Sequence, residues 1–310
     1  MPSITRNGAA SLIPVEISNE ILSGIRRSSV AMQLMRRLPN MTTQQHKMPV
    51  LSMLPAADFV NGDSGMKITT EAAWMDKMLV AGEIAAIVPI PQAVLDDAEY
   101  DIWGEVQPLL IEQFGRVFDN QVFNGGNPKA PAEWPQGLIP LSITAGNTVA
   151  MGTGIDLAED FNQLMGVLED QGYDVNGIAA QRKLRKTLRG LRDANNVPLY
   201  QPITANTPAS IYAVPTHFVG TNVWKADDAL AITGDWTNAV YALRQDMTFQ
   251  IFDTGVISDD TGKVIYNLLQ QDMSALRAVM RLSWQVSNPI DIDRQDIANT
   301  FPFAVLTPAP

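Results

Sequence analysis

Twelve residues near the end of the chain constrain the fold more than any others. Leu276, Ala278, Met280, Leu282, Trp284 and Val286 alternate with Arg277, Val279, Arg281, Ser283, Gln285 and Ser287. Period two held this long reads as a strand over Ala275–Ser287, with one face in a core and the other largely polar. Such a strand is longer than most and needs an apolar surface to cover its buried face. The best candidate lies far away, at Asp101–Asn124. There Ile102, Val106, Leu109, Leu110, Phe114, Val117, Phe118 and Val122 recur at spacings of three and four. That spacing gives one apolar stripe on a helix of roughly 30–35 Å. Asp101 suits the N-cap, and Gly125-Gly126 stops the helix. Pro108 cannot donate to the carbonyl of Gly104, so a bend is expected between Gly104 and Pro108. Helix and strand are expected to share one α+β domain, with the residues between them inserted into it.

The 310 residues suffice for two domains, and 46% hydrophobic with 18% charged residues describes a globular chain. No apolar run approaches the length of a membrane span. The first residues lack a basic-then-apolar signal pattern, so folding in a cytoplasm is expected. The absence of Cys excludes thiol catalysis, thiolate metal sites and disulfides, and His46 and His217 alone make a histidine metal centre improbable. A net charge of -11 argues against bulk nucleic-acid binding. The charge is uneven. Residues 1–50 hold Arg6, Arg26, Arg27, Arg36, Arg37 and Lys47 against Glu16 and Glu20, so +4, and the remainder carries -15. A basic arm is expected to lie on an acidic body, its own or a neighbour's.

The N-terminal stretch reads as loose residues followed by short helices, one at Pro14–Ile25 and one after Ser28–Ser29 that carries Val30, Leu34 and Met35. Lys47–Val88 reads as two extended arms around a Gly-rich tip. Its apolar residues Val50, Leu51, Met53, Phe59, Val60, Trp74, Met75, Met78 and Leu79 fall on both faces, and a lone two-stranded ribbon cannot bury them. After a Pro/Gly linker a second unit begins near Leu141. It holds a helix over residues 156–172 and a basic helix at Gln181–Arg192, with Leu184, Leu188 and Leu191 inward. Strands are expected at Ile211–Val214, Ala229–Ile232, Ala239–Leu243, Thr248–Phe252 and Val264–Leu269, with a short one at residues 302–306.

No catalytic or cofactor site emerges. The NGG and MGTG pieces lack phosphate-cradle spacing. Asp291, Asp293 and Asp296 lack the Gly and closing Glu of a calcium loop. Asp227–Asp228 and Asp259–Asp260 read as solvated turns. His217 sits in an apolar stretch as a packed residue, and no Ser has a GxSxG context. The basic face of residues 182–192 reads as a solvated face or a subunit contact rather than a nucleic-acid site.

Several segments, taken in order, resemble the major capsid proteins of tailed bacteriophages, the Hong Kong 97 (HK97)-like shell fold. They are LIPVEISNEIL, SSVAMQLMRRLPN, KMPVL, FVNGD, IAAIVPIPQAVLDDAEYDIWGEV, QVFNGGN, PQGLI, ITGDW, FDTG and QDMSALRAVMRLSWQVSNP. The resemblance implies an N-arm at 1–46 and an extended E-loop at 47–88. It implies a P-domain at 89–138 and 265–310 with a bent spine helix, and an inserted A-domain at 139–264. It implies self-assembly into hexamers and pentamers of an icosahedral head around double-stranded DNA bound without sequence specificity. Portal, separate scaffolding and decoration proteins are the further partners it implies, with no cofactor and no catalytic role. Expected inter-subunit contacts are Arg26, Arg27, Arg36, Arg37, Met53, Phe59, Val60, Trp74, Met75 and Met78.

Two features depart from some family members. Their Lys–Asn isopeptide weld uses a C-terminal Glu, but no Glu follows Glu169 here, so a non-covalent shell is expected although Lys67 and Lys77 lie in the ribbon. The sequence shown starts almost directly on the arm, so any scaffolding is expected as a separate protein or as a segment already absent. Two alternatives remain at this stage: an encapsulin-type nanocompartment with a protein cargo, and an unrelated α+β enzyme, which would be a monomer with a catalytic pocket.

Overall fold

The structure is a computed structural model and describes residues 24–25, 28–55, 57–59, 67, 69–98, 101–190, 209–220, 223–224, 227–291 and 300–309. The long helix spans Ile102–Phe123 with Asp101 at its N-cap and Asn124 at its C-cap. It runs through Pro108 without interruption, which leaves the Gly104 carbonyl without its helical donor. Leu110, Phe114, Phe118 and Val122 are buried, but Leu109 is 66% exposed. At 3.6 residues per turn Leu109 is rotated about 100° from Leu110, off the Val106–Leu110–Phe114 row.

The long strand is Met273–Val286, and all six residues assigned to its inner face are buried. It is central in a four-stranded sheet whose order is Arg36–Arg37, Ala239–Phe252, Met273–Val286, Gly82–Pro91. Phe118 of the helix meets Tyr241 of this sheet with ring centroids 6.3 Å apart. The stretches 239–243 and 248–252 are therefore one strand. Register shifts between Leu243, Gln245 and Thr248 break its periodicity, as bulges do.

The outer strand Gly82–Pro91 corrects the expected ribbon. Residues 82–88 belong to the sheet, pairing antiparallel from Met273↔Pro91 to Leu282↔Gly82. The ribbon itself is Gln45–Met53 against Ala73–Val80. The inward turn at Gly82 is tight: an added Cβ would come within 2.8 Å of the Trp134 ring.

The second sheet has six strands, in the order Thr148–Ala150, Phe303–Thr307, Ala231–Gly234, Gly177–Gln181, Val214–Val219, Ser210–Ile211. The C-terminal strand thus lies in this sheet, not with the long strand. Alternation divides its two faces. Ala179, Ile232, Phe303 and Val305 join the core of the long helix. Ile178, Ala180, Ala231, Ala304 and Leu306 pack under the helices Leu157–Glu169 and Leu184–Gly190. The basic helix begins later than its composition suggests, because Gln181 ends a fully buried strand. The strand expected at Ile211–Val214 is a hairpin, turned by Tyr212 (φ 49°) and Ala213 (φ 66°). Among the described residues no helix is long and apolar enough to cross a membrane.

Candidate assembly interface

Two attachments project from the body, and each is tied down by specific polar groups. The first is the N-terminal arm. Ser29 caps the short helix Val30–Leu34 by accepting from the Met32 N–H. The same hydroxyl donates to Asp119 Oδ1 of the long helix at 2.5 Å. Val30 and Ala31 donate their backbone N–H groups to the same carboxylate at 2.9 and 3.0 Å. Asp119 is 1% exposed. Burial pushes its carboxyl up to about 6, against these three hydrogen bonds, which pull it down. The arm passes close to the helix here: an added Cβ on Gly115 would come within 2.3 Å of Ser28 Oγ. Arg36 and Arg37 then pair as a short parallel strand with Val240 and Tyr241, their side chains exposed. Arg26 and Arg27 lie outside the described residues.

The second attachment is the ribbon. At its base Leu79 and Val50 are buried, at 0% and 4% exposure, which corrects their assignment to the uncovered faces. Lys77 Nζ donates to the Val286 carbonyl at 2.8 Å, and burial holds its ammonium below the usual lysine range. The Trp134 indole N–H donates to the Val80 carbonyl at 2.7 Å. Ile290 N–H donates to Leu51 O at 3.0 Å. Beyond this anchor the ribbon leaves the body. Met53 is 51% exposed, Trp74 65%, Met75 42% and Phe59 fully exposed. Met78, nearer the base, is half-buried. Val60 lies outside the described residues. Large apolar side chains left uncovered on one element make it a candidate interaction surface.

Among the described residues no group of His, Cys, Asp or Glu is arranged to hold a metal ion. Asp293 and Asp296 lie outside them. Asp259 and Asp260 are exposed. Asp259 caps its turn through Thr261 and Lys263, and Asp260 meets Lys129 at 2.8 Å. His217 is half-buried in Val214–Val219, and burial lowers its pKa. Nothing in the sequence singles out Asp119, a lone carboxylate beside an apolar stripe with its partners about 90 residues away.

The geometry matches a known family. The model of the Phage capsid family matches residues 9–292. The major capsid protein of Staphylococcus phage 80alpha is 26% identical over 280 residues, covering 88% of this chain and 81% of that protein. A solved chain of Microbacterium phage Oxtober96 is 39% identical with a TM-score of 0.77, covering 90% of this chain and 91% of the other. One of Mycobacterium phage Adephagia is 26% identical with a TM-score of 0.75, covering 99% and 98%. In fold alone, the chain also resembles the capsid of a native GTA particle, at 16% identity and a TM-score of 0.64, covering 91% of each. With its spine-like helix on a long-stranded sheet, its projecting ribbon and its second α/β unit, this chain belongs to the phage capsid family and has the HK97-like fold.

Proposed function

We propose that this chain is the major capsid protein of a tailed phage, a structural subunit without catalytic activity that closes into an icosahedral head from hexamers and pentamers. The observation that carries the reading is the ribbon. Its base is anchored by Lys77 and Trp134, yet Phe59, Trp74, Met53 and Met75 project uncovered. A chain that buries its core this thoroughly and leaves this surface open is completed by a neighbour. The four-stranded sheet and long helix serve as the P-domain, and Gly104–Pro108 is where we expect the helix to bend. The six-stranded sheet serves as the A-domain, and residues 45–80 as the E-loop.

Arg36 and Arg37, with Arg26 and Arg27, place positive charge on the arm of an otherwise acidic chain. They meet the acidic surface of neighbours, a contact that salt weakens. The acidic body keeps enclosed DNA from adhering to the wall. Portal, scaffolding and decoration proteins join in the host cytoplasm, and contacts between subunits stay non-covalent. The test is expression of the chain followed by size-exclusion chromatography and electron microscopy. Closed particles eluting in the void volume are expected. A compact monomer at micromolar concentration, with or without scaffolding protein, would overturn the reading.

A further inference from the structure

A cavity of about 190 Å³ lies where the long helix, the start of the strand Gly82–Pro91 and the loop around Pro131 meet. Its walls include Ile84, Val117, Phe118, Pro131 and Trp134. An apolar cavity of about 150 Å³ already holds a benzene ring, so this one has room for a larger aromatic group. Its charged rim is already paired within the chain: Lys129 meets Asp260 at 2.8 Å, and Glu83 meets Arg281 at 2.6 Å. The Trp134 indole N–H is used by Val80. One polar group in the lining has no partner among the described residues. Gln121 is 7% exposed, and its Oε1 is buried without a hydrogen bond. An orphaned buried acceptor costs about 1–3 kcal/mol. The cavity therefore suits an uncharged group with a flat apolar body and one hydrogen-bond donor.

The ribbon carries one such group. Trp74 is 65% exposed, and an indole offers a single N–H donor and no acceptor. Met53, Phe59 and Met75 have no donor to offer. The chain's own Trp74 cannot fill its own cavity. It lies eight residues along an extended strand from Gly82, roughly 25 Å away at about 3.3 Å per residue, and Lys77 fixes the ribbon base to the long strand. We propose that the cavity is the socket for Trp74 of a second copy, whose indole N–H donates to Gln121 Oε1 while its ring fills the apolar walls. This rests on the reading of the chain as a shell subunit, and it names the contact that closes the ribbon onto its neighbour.

The test exploits the absence of Cys from the chain. Ala72→Cys places a thiol on the ribbon two residues from Trp74, which stays intact, and Ala130→Cys places one on the socket. In assembled particles a short bismaleimide should join these thiols between copies, giving a ladder of covalent oligomers on denaturing gels. Asp58→Cys with Ala130→Cys, which reports on Phe59 instead, should give none. Independently, Trp74→Phe and Gln121→Leu should each raise the protein concentration for half-assembly about five-fold, the worth of one hydrogen bond near 1 kcal/mol. The double variant should be no worse than either. Particles that form without the Ala72–Ala130 ladder, that cross-link through Asp58 instead, or whose two single effects multiply would overturn the socket and leave the shell reading standing. An unmodified chain that never assembles would overturn both.

Discussion

Ser29 and Asp119, 90 residues apart, share a buried hydrogen bond of 2.5 Å that holds the N-terminal arm on the long helix. The same carboxylate accepts the backbone N–H groups of Val30 and Ala31. Asp119→Ala would leave these donors buried and unpaired, at a cost of roughly 3 kcal/mol or more. Urea unfolding of the unassembled chain measures it, and a loss under about 1 kcal/mol would mean that the arm detaches freely.

The same carboxyl makes stability depend on pH. Its pKa is raised from 3.8 to about 6, with burial the largest cause. The native state therefore holds the proton more tightly than the unfolded chain. This contribution is fully present below pH 3.8 and is lost as pH rises through about 6. Arg116, one turn back on the helix, is taken up with Gln113 rather than with the carboxyl. Asp119→Asn removes the titration. Across that window the wild type should lose up to roughly 3 kcal/mol relative to the Asn variant. Parallel pH profiles of the unfolding free energy would refute this.

Two adjacent glycines should respond very differently to alanine. Gly125 has φ +64°, and an added Cβ would fall 1.4 Å from the Gln136 carbonyl oxygen, so backbone must move. Gly126 has φ +73° with nothing within 4 Å, so only the left-handed conformation is penalised, by about 1–2 kcal/mol. Gly125→Ala is expected to yield little folded protein, while Gly126→Ala folds with a modestly lower Tm. Thermal unfolding of the soluble fractions decides it.

Phe59 is fully exposed in the single chain. Phe59→Ser should change the unfolding free energy of the unassembled chain by less than about 0.5 kcal/mol. The yield of particles by sedimentation should nonetheless fall. A variant that assembles as well as the wild type would show that Phe59 stays uncovered in the shell.

Lys77 ties the ribbon to the Val286 carbonyl from a partly desolvated position. Lys77→Met keeps the stem and removes the donor. Amide hydrogen exchange in Gln45–Met53 and Ala73–Val80 should speed up several-fold while Met273–Val286 stays protected. Unchanged exchange in the ribbon would assign its anchoring to the remaining contacts, the Trp134 and Ile290 hydrogen bonds and the buried Val50 and Leu79 among them.

The long helix and long strand were legible because each repeats one period over many residues, and burial follows that period at Phe114, Phe118 and Val122 and from Leu276 to Val286. Legibility failed where a local rule was broken. The bulged strand Ala239–Phe252 read as two because its register shifts at Gln245. The hairpin at Tyr212–Ala213 was missed because left-handed backbone there is carried by residues other than Gly or Asn. Residues 82–88 read as ribbon because an extended arm looks the same whether it projects or joins a sheet. Only the pairing Leu282↔Gly82, 200 residues apart, distinguishes the two. Of the candidate site, the exposed apolar residues of the ribbon were visible in its composition. The Asp119 tether and the Gln121 cavity were not, since no spacing encodes a contact between distant segments.

The four-stranded sheet recruits segments 36–37, 82–91, 239–252 and 273–286. A ribosome must therefore release almost the entire polypeptide before its central strand can find both neighbours. Products terminated before Met273 lack that strand and cannot join Gly82–Pro91 to Ala239–Phe252. Order of synthesis thus leaves the sheet open at its middle until the chain is nearly complete.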